Sequence, residues 1–404
     1  MIAAMNFEPA LARRMERMKA SEIRELLKLL DLPGVISFAG GIPDPELFPA
    51  EAAADAYRAA LSPEGAASAL QYSVSEGYPP LRAWIAGHMA EQGVPADPDN
   101  VLITAGSQQG LDFLGKLLID PGDTVMTLAP TYLGALQAFS AYEPRYEAIR
   151  PEDGNRTPEA LRRSAAAAGG RPKFAYVVPD FANPTGETLS LQGRRNLLAL
   201  ARDLDVPVLE DAAYRALRFS GEDLPSLQAL DVAATGSLEA SRVAYLGTFS
   251  KIVAPGLRVG WVCASKAIIA KLVLITQASE LNVSIINQIV MHALASRLHG
   301  ALVERARDHY HVKRDAMLAA LEAHMPAGVH WTRPEGGLFV WLTLPEGVDG
   351  AELLSRAVRE VNVAFVPGGA FHPDGGGANT IRLSYSLPTL EAIEEGVRRL
   401  ASLL

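Results

Sequence analysis

Residues 243–264, VAYLGTFSKIVAPGLRVGWVCA, consist of two short β-rich runs joined by a polar turn. Lys251 follows the first run, VAYLGTF, after Ser250. A lysine so close to a buried strand end is unusual unless its amine is used or paired, although a surface lysine is the ordinary alternative. The Pro255-Gly256 turn can return the chain and direct Arg258 towards the same place. Arginine is suited to bidentate phosphate binding. The segment therefore predicts a strand, a ligand site and a second strand.

Further runs of this kind alternate with helical stretches from about residue 101 onwards. They are VLITAG (101–106), TVMTLAP (124–130), FAYVVP (174–179) and VPVLED (206–211). Runs that are apolar on both faces and separated by helices predict an α/β fold with a mostly parallel central sheet covered on both sides. Four runs end in polar residues: Ser107-Gln108, Asp180 with Asn183, Asp211, and Ser250-Lys251. Ligands of open α/β sheets bind at the carboxyl ends of strands, so these residues predict one site.

The two ends of the chain differ from this central region. SEIRELLKLL (21–30) has helical spacing and is followed by a Gly- and Pro-rich stretch, which predicts an N-terminal helix and an extended arm over residues 1–50. A large cofactor-binding domain is expected over residues 51–285. After a long helical region, the β-rich runs within residues 286–404 predict a small α+β C-terminal domain that packs with the N-terminal segment.

Composition restricts the class of protein. The chain has 404 residues, 49% hydrophobic and 21% charged, as in globular proteins, and its net charge of -9 opposes a nucleic-acid surface. The single cysteine, Cys263, cannot form an intrachain disulfide and indicates a reduced, cytoplasmic setting. Glu8 and Pro9 interrupt the start before a secretory segment could form, and no run reaches the roughly 18 apolar residues of a membrane span. The expected partners are small molecules and further copies of the chain, with no nucleic acid, membrane or metal.

The residues at the predicted sheet edge match the chemistry that pyridoxal phosphate requires. This cofactor needs a lysine amine to form an imine, an acidic group at its pyridine nitrogen, and a helix N-terminus with an arginine for its phosphate. Lys251, Asp211 and the combination of Ser107-Gln108 with Arg258 offer these groups. Taken alone, each has an ordinary structural explanation, such as a helix-capping aspartate. Their combination is what indicates the cofactor.

The chain resembles the fold-type-I pyridoxal-phosphate aminotransferases of class I/II, and among them the 2-aminoadipate, kynurenine and aromatic aminotransferase branch. The resemblance extends from about Ser21 to the C-terminus, with ten motifs in the same order. These motifs are FAGGIPDPELFP, LQYSVSEGYPPLR, TAGSQQGLD, APTYLGALQAF, PDFANPTGETLS, LEDAAYRAL, GTFSKIVAPGLRVGW, RPEGGLFVW, VAFVPGGAF and NTIRLSYS.

The resemblance assigns a role to each residue of the cofactor site. It implies that Lys251 forms the imine and moves the proton between the substrate α-carbon and the cofactor, and that Asp211 pairs with the pyridinium nitrogen. Tyr214 and Asn183 would donate hydrogen bonds to the 3-oxygen, lowering the pKa of the imine, while Tyr132 would stack on the ring. The implied phosphate ligands are Ser107, Gln108, Thr248, Ser250, Arg258 and, from the partner subunit of a homodimer, Tyr72.

The resemblance also implies a substrate pocket. Arg382, in the alternating run TIRLSY, would bind the substrate α-carboxylate, with Gly41 and Asn183 lining that pocket. Arg24 stands at the position that contacts the side-chain carboxylate of acidic substrates, although it could equally be a solvated arginine on an amphipathic helix. Tyr72 and Arg382 have ordinary alternatives as well, a core aromatic residue and an outward-facing strand residue.

Two features depart from the pattern of the family. Asp180 stands where a small polar residue often precedes the NPTG turn, and a carboxylate near the cofactor could alter the local charge. Residues 281–288, LNVSIINQ, differ in a region that can contribute to the substrate pocket. Both leave the chemistry intact and bear on specificity.

The implied activity is amino-group transfer by a ping-pong mechanism from an amino acid to a 2-oxo acid such as 2-oxoglutarate. The donors expected, in order, are 2-aminoadipate or another long acidic amino acid, an aromatic amino acid, and a branched aliphatic one. The main alternative is a lyase or decarboxylase on the same scaffold, because fold does not fix the reaction. A second alternative, a transcription regulator, would need an N-terminal DNA-binding domain, whereas only about 20 residues precede Ser21. A nucleotide-binding domain would need a GxGxxG or P-loop signature, which the chain lacks.

Overall fold

A computed structural model describes residues 11–18 and 34–404. The helix predicted over residues 21–30, and Arg24 with it, lies outside the described residues. The strands are, in chain order, β1 Ile36–Ser37, β2 Val101–Thr104, β3 Thr124–Thr127, β4 Arg145–Ala148, β5 Pro172–Val177, β6 Val208–Asp211, β7 Val243–Thr248, β8 Gly260–Cys263, β9 His330–Trp331, β10 Phe339–Thr343, β11 Val363–Ala364, β12 Val366–Pro367 and β13 Thr380–Ser384.

Helices surround these strands in the described part of the chain. They are α1 Ala50–Ala60, α2 Ala66–Ala69, α3 Pro79–Glu91, α4 Ser107–Leu118, α5 Leu133–Ser140, α6 Pro158–Ala167, α7 Leu191–Leu204, α8 Leu227–Thr235, α9 Lys266–Ser279, α10 Ile285–His324, α11 Gly350–Arg356 and α12 Leu390–Ala401. A π-helical turn, Ala357–Val361, extends α11. Within the described residues, no helix is long and apolar enough to span a membrane.

The central sheet has seven strands in the order β2-β8-β7-β6-β5-β3-β4. Its strand pairs are parallel except those of β8, which runs antiparallel to both of its neighbours. All six runs predicted from the sequence form strands of this sheet, and the mostly parallel α/β fold is confirmed. The prediction missed β4, because RYEA is a partly exposed edge strand with no apolar run to mark it.

Both faces of the sheet are covered by helices. Along β8, Trp261 and Cys263 pack into a core with α3, α8 and α10, while the intervening Val262 packs into another core with α4 and α9. Alternate residues of one strand therefore enter different cores, and both cores are apolar. This is why the strands appear in the sequence as continuous apolar runs rather than alternating ones.

The C-terminal region forms a second, smaller sheet in the order β12-β13-β10-β9, with antiparallel pairs. The long helix α10 packs on both sheets. Its residue Met291 lies in the core that contains Trp261 of the central sheet, and Met317 lies in the core that contains Phe339 of the small sheet. The division into domains at residues 50 and 285 stays a prediction.

The described part of the N-terminal arm crosses from the small sheet towards α10. Strand β1 pairs with β11 in parallel, and the backbone N–H of Ser384 donates to Phe38 O over 2.9 Å. Further along, the Asp44 carboxylate accepts hydrogen bonds from Lys313 (2.6 Å) and His309 (2.9 Å) on α10. Residues 39–43 are thus fixed at both ends.

Candidate active site

The carboxyl ends of the central strands surround a cavity of about 150 Å³. Every predicted cofactor residue except Asn183 and Tyr72 lines it. The lining residues are Ser107, Gln108, Tyr132, Val178, Asp211, Ala213, Tyr214, Thr248, Ser250, Lys251, Pro255 and Arg258. The structure therefore brings together residues that are up to 151 positions apart, counted from Ser107 to Arg258 (258 minus 107).

One end of the cavity is built to receive an anion. Helix α4 begins at Ser107 and has no side-chain capping bond, so its first N–H groups remain for a ligand. The Arg258 guanidinium donates to Ser250 Oγ (3.4 Å) and to Ala105 O (2.9 Å) and forms no ion pair among the described residues. Thr248 Oγ1 donates to Ser250 Oγ over 2.9 Å, which fixes the hydroxyl groups in place. A phosphate matches this arrangement of donors.

Glycine is required beside this anion-binding end. Gly106 precedes α4 with φ +80°, in the left-handed region that favours glycine, and a Cβ there would overlap the Arg258 guanidinium. The loop that begins α4 can therefore approach Arg258 only because residue 106 has no side chain.

Asp211, at the end of β6, offers a buried carboxylate oxygen without a partner. Tyr176 Oη donates to its Oδ2 over 3.0 Å, while Oδ1 accepts no hydrogen bond from any side chain or backbone group that the structure describes. Burial raises the pKa of Asp211 to about 6, and the Tyr176 hydrogen bond, the nearby backbone N–H of Ala213 and the charge of Lys251 oppose this effect. A protonated pyridine nitrogen is the kind of donor that the orphaned oxygen requires.

Lys251 follows β7 and faces the arm. Its Nζ donates to Gly41 O over 3.1 Å and lies 5.5 Å from the centre of the Tyr214 ring. Burial lowers the pKa of Lys251 to about 8, helped by the charges of Arg382 and Arg258 and opposed by Asp211. Near physiological pH a much larger fraction of this amine is neutral than of an ordinary lysine, although most of it is still protonated, and the neutral form is the one that attacks a carbonyl.

Tyr214 and Asn183 stand together beside the cavity. Burial raises the pKa of the Tyr214 phenol, and the charge of Arg382 and a hydrogen bond with Asn183 act against that increase. The Tyr214 ring packs edge to face on Phe339 at 5.6 Å. The phenol is therefore protonated and available as a hydrogen-bond donor at neutral pH.

Arg382, on β13, is a buried cation with no carboxylate partner among the described residues. It is 1% exposed, and its guanidinium carbon lies 4.4 Å from the centre of the Phe339 ring and 5.1 Å from that of Phe371. It donates to Asn183 Oδ1 and to Ala39 O, each over 2.8 Å, while its Nε has no partner. Burial lowers its pKa to about 10. Such a guanidinium requires an anionic ligand, and a substrate α-carboxylate meets this need.

Gly41 contributes through its backbone. Its carbonyl oxygen accepts the Lys251 hydrogen bond, and a Cβ at this position would overlap the Phe339 ring. The arm therefore passes between Lys251 and the Phe339 ring on which Arg382 packs, and only glycine allows this close approach.

Tyr72 lies away from the cavity. It is 79% exposed and lines a surface groove with Leu70, Glu280, Asn282, Ser284, Ile285 and Ile286. The segment 281–288 thus contributes to this groove rather than to the cofactor cavity of its own chain.

Asp180 does not place a free charge near the cofactor. The residue is fully buried, is absent from the cavity wall, and forms ion pairs with Arg194, Arg215 and Arg218. The sequence placed Asp180 correctly at a strand end but could not reveal these arginines, which come from other segments.

Sequence reasoning missed Tyr176 and the two phenylalanines near Arg382. Tyr176 lies in the apolar run FAYVVP. A buried tyrosine hydroxyl in such a run needs a hydrogen-bond partner, and this signal could have pointed to the Asp211 carboxylate. Phe339 and Phe371 gave no such signal, because buried phenylalanines are ordinary core residues.

The orphaned Asp211 oxygen, the Lys251 amine of lowered pKa and the uncapped N-terminus of α4 match the groups that pyridoxal phosphate requires. Residues 34–400 match the family described as Aminotransferase class I and II, and the chain belongs to this family. It is a pyridoxal-phosphate-dependent aminotransferase of fold type I.

Individual relatives agree with this assignment. The chain is 44% identical to the 2-aminoadipate transaminase of Thermus thermophilus, covering 99% of this chain and 98% of that one. It is 42% identical to aromatic-amino-acid aminotransferase 1 of Thermococcus litoralis, covering 98% and 94%. Because these relatives are transaminases, the lyase alternative is not favoured.

Solved structures are similar over nearly the whole chain. The alpha-aminoadipate aminotransferase of Thermus thermophilus, complexed with N-(5'-phosphopyridoxyl)-L-leucine, has a TM-score of 0.87 at 43% identity, covering 98% of each chain. The multiple substrate aminotransferase of Thermococcus profundus has a TM-score of 0.89 at 40% identity, again covering 98% of each.

Proposed function

We propose that the enzyme transfers the amino group of 2-aminoadipate or another long acidic, aromatic or branched-chain amino acid to a 2-oxo acid such as 2-oxoglutarate, by a ping-pong mechanism. The observation that carries this proposal is the buried Arg382, which has no carboxylate partner among the described residues and lies close enough to Lys251 to lower its pKa. An α-carboxylate bound at Arg382 would bring the attached α-amino group towards Lys251. Relatives named for 2-aminoadipate and for aromatic amino acids support these donor classes.

The residues of the cavity would each have a distinct role. Bound pyridoxal phosphate supplies an aldehyde that combines with amines and a ring that stabilises negative charge at the α-carbon. Lys251, with its lowered pKa, would accept and return the proton at the α-carbon, and Asp211 Oδ1 would hold the proton on the pyridine nitrogen. Tyr214 and Asn183 would donate to the 3-oxygen, and Tyr132 would stack on the ring. The phosphate ligands would be Ser107, Gln108, Thr248, Ser250 and Arg258.

The working unit would be a homodimer in which Tyr72 of each chain contacts the phosphate in the partner's site. Its support is the exposure of an aromatic residue outside its own cavity, together with exposed Leu70 (71%), Val74 (50%) and Leu281 (54%). Exposed apolar residues grouped in this way are typical of a protein interface.

We assign the enzyme to the reducing cytoplasm. Cys263 is the single cysteine of the chain and is buried in the sheet, where burial raises the pKa of its thiol to about 12. Such a thiol is unreactive and contributes only to packing. Fractionation of the source cells would test the assignment.

The test is a spectrum of the purified protein with pyridoxal phosphate, followed by single amino acids without any oxo acid. We expect an absorbance band near about 360–430 nm that 2-aminoadipate bleaches and 2-oxoglutarate restores. Lys251→Ala is the matched control and should lack the covalent band. Failure of every donor to bleach a normal band, or release of ammonia or carbon dioxide instead, would contradict transamination.

A further inference from the structure

Asp180 lies at the centre of a buried cluster of charges behind the candidate active site. Its Oδ1 accepts from Arg194 Nη2 (2.6 Å) and Arg218 Nη2 (3.1 Å), and its Oδ2 accepts from Arg215 Nη1 (3.2 Å). The side chains of Asp180 and Arg194 are 0% exposed, and those of Arg215 and Arg218 are 12% and 8% exposed. One buried carboxylate thus binds three guanidinium groups, of which one is fully buried and two are largely buried.

These four residues come from three separate segments. Asp180 lies three positions before Asn183, Arg215 directly follows Tyr214, and Arg194 lies within α7. Arg194 also donates to the carbonyl oxygens of Pro179 (3.2 Å), Leu189 (3.1 Å) and Pro225 (3.0 Å). The segment with Asn183 and the segment with Tyr214 are therefore joined through the Asp180 carboxylate.

Asp180 is the only fully buried carboxylate that forms an ion pair with these arginines among the described residues. Glu210 is equally buried and its charge also acts on Arg194 and Arg215, but it accepts the backbone N–H groups of Leu227 and Gln228 instead of pairing with an arginine. Asp223 pairs with Arg215 at 3.2 Å but its side chain is 73% exposed, and Glu335 lies 3.6 Å from Arg218 with 51% exposure. Exposed ion pairs contribute little to holding a geometry, whereas loss of a buried partner leaves an uncompensated charge. Displacing Asp180 would therefore require Arg215 and Arg218 to move.

A displacement of Arg218 would disturb the loop that contains Asn183, because Arg218 packs on Phe181 of the same loop. Its guanidinium carbon lies 4.6 Å from the centre of the Phe181 ring, and Phe181 has a φ of +51° in the left-handed region. A phenylalanine keeps this backbone conformation only when its surroundings enforce it. The contacts of Asp180 and Arg218 are thus part of what holds the backbone that leads to Asn183.

We propose that Asp180 is a positioning residue for the cofactor's hydrogen-bond donors. By binding Arg194, Arg215 and Arg218 together, it fixes the placement of Asn183 relative to Tyr214. The proposal rests on the proposed function, in which these two side chains donate to the 3-oxygen of pyridoxal phosphate. Hydrogen bonds to this oxygen stabilise its anionic form, so they lower the pH at which the bound cofactor loses its proton.

The experiment is a pH titration of the absorbance band of the bound cofactor, without substrate, in wild type and in Asp180→Asn. We expect the midpoint to move upwards by about 0.5–1 pH unit, because displaced donors stabilise the anion less well. Loss of the negative charge alone would act in the opposite direction, since a more positive surrounding favours proton loss. An unchanged or lowered midpoint would therefore overturn the proposal.

Asp223→Asn is the matched control. It removes one negative charge beside two of these arginines, Arg215 and Arg218, at an exposed position, and its midpoint should agree with that of wild type. Arg215→Lys gives a second measurement, because lysine keeps the positive charge but lacks the planar guanidinium group. Its midpoint should move upwards by less than that of Asp180→Asn. If this variant titrates like wild type and Asp180→Asn does not fold, Asp180 serves stability only and the proposal is wrong.

The titration also separates this proposal from the proposed function. The band is measured before any amino acid is added, so a wild-type protein that binds the cofactor but transfers no amino group would still report the position of the donors. Conversely, the wild type could transfer amino groups while Asp180→Asn and Arg215→Lys both keep its midpoint. That result would contradict the role of Asp180 and leave the proposed function intact.

Discussion

Arg382 donates a 2.8 Å hydrogen bond to Asn183 Oδ1 and so joins residues that are 199 positions apart. Arg382 belongs to the small sheet, whereas Asn183 follows β5 of the central sheet. The expected carboxylate-binding residue is thereby fixed against an expected cofactor-binding residue. Correct placement of the substrate relative to the cofactor would depend on this contact between the two sheets.

Arg382→Lys should reduce kcat/KM for amino acids by about 100-fold or more, mainly through a higher KM, because an ammonium cannot bind a carboxylate bidentately. Steady-state kinetics with several donors would measure the effect. A primary amine that lacks the α-carboxylate is the control substrate and should react equally slowly with both enzymes. Equal loss for the amine and the amino acid would contradict a role in carboxylate binding.

Lys251 should react with a pH dependence shifted well below that of an ordinary lysine. Burial and the charges of Arg382 and Arg258 lower its pKa to about 8, so the rate of cofactor capture by the apoenzyme should rise through a midpoint near pH 8. Stopped-flow absorbance after mixing the apoenzyme with pyridoxal phosphate would measure this rate. A rate that continues to rise towards pH 10 would show that the amine is not perturbed.

Asp211→Asn should abolish most activity and yet stabilise the apoenzyme at pH 8. Folding raises the pKa of Asp211 from 3.8 to about 6, so the folded state holds its proton more tightly and loses stability as the pH rises through this window. The shift corresponds to about 3 kcal/mol as an upper bound, and a gain of about 1–3 kcal/mol in the free energy of unfolding is expected. Urea unfolding at pH 8 and pH 4 would measure it, and the gain should vanish at pH 4. An apoenzyme that is less stable at pH 8 would contradict the argument.

Much of the fold could be predicted from the sequence, because strands buried on both faces appear as apolar runs and a ligand site follows from the polar residues after them. This reasoning predicts Lys251, Asp211 and Arg258 as site residues, and all three line the same cavity. The edge strand β4 was missed for the same physical reason, since its exposed residues give no apolar run.

The parts that could not be predicted depend on contacts between distant segments. The sequence indicated Asp180 as a charge near the cofactor, whereas its partners Arg194, Arg215 and Arg218 neutralise it away from the cavity. The hydrogen bond from Lys251 to Gly41 O likewise joins positions 210 residues apart. Pairings at this separation leave no periodic pattern in a single sequence.

Arg24→Ala should harm acidic donors selectively. The resemblance places this residue where a side-chain carboxylate is bound, and Arg24 lies outside the described residues, so the prediction rests on sequence alone. Loss of one charged contact should lower kcat/KM for 2-aminoadipate by about tenfold or more while that for leucine stays nearly unchanged. Parallel kinetics with the two donors measure the difference. Equal losses would indicate that Arg24 serves the fold and does not recognise the substrate.

Tyr72→Phe should weaken cofactor binding by about tenfold, the value of one hydrogen bond to a phosphate. Because Tyr72 is 79% exposed and lies outside its own cavity, the hydrogen bond is expected across the interface of a homodimer. Fluorescence titration of the apoenzyme with pyridoxal phosphate would measure the affinity, with light scattering to show that the variant remains dimeric.

Mixing the Tyr72→Phe and Lys251→Ala variants distinguishes donation across the interface from contact within one chain. If Tyr72 serves the partner, each mixed dimer has one site with both wild-type residues, so about a quarter of all sites regain wild-type affinity after subunit exchange. If Tyr72 serves its own chain, no site in the mixture has both residues. Activity at a cofactor concentration that leaves Tyr72→Phe mostly unloaded should therefore increase on mixing, and its failure to do so would assign Tyr72 to the surface of a single chain.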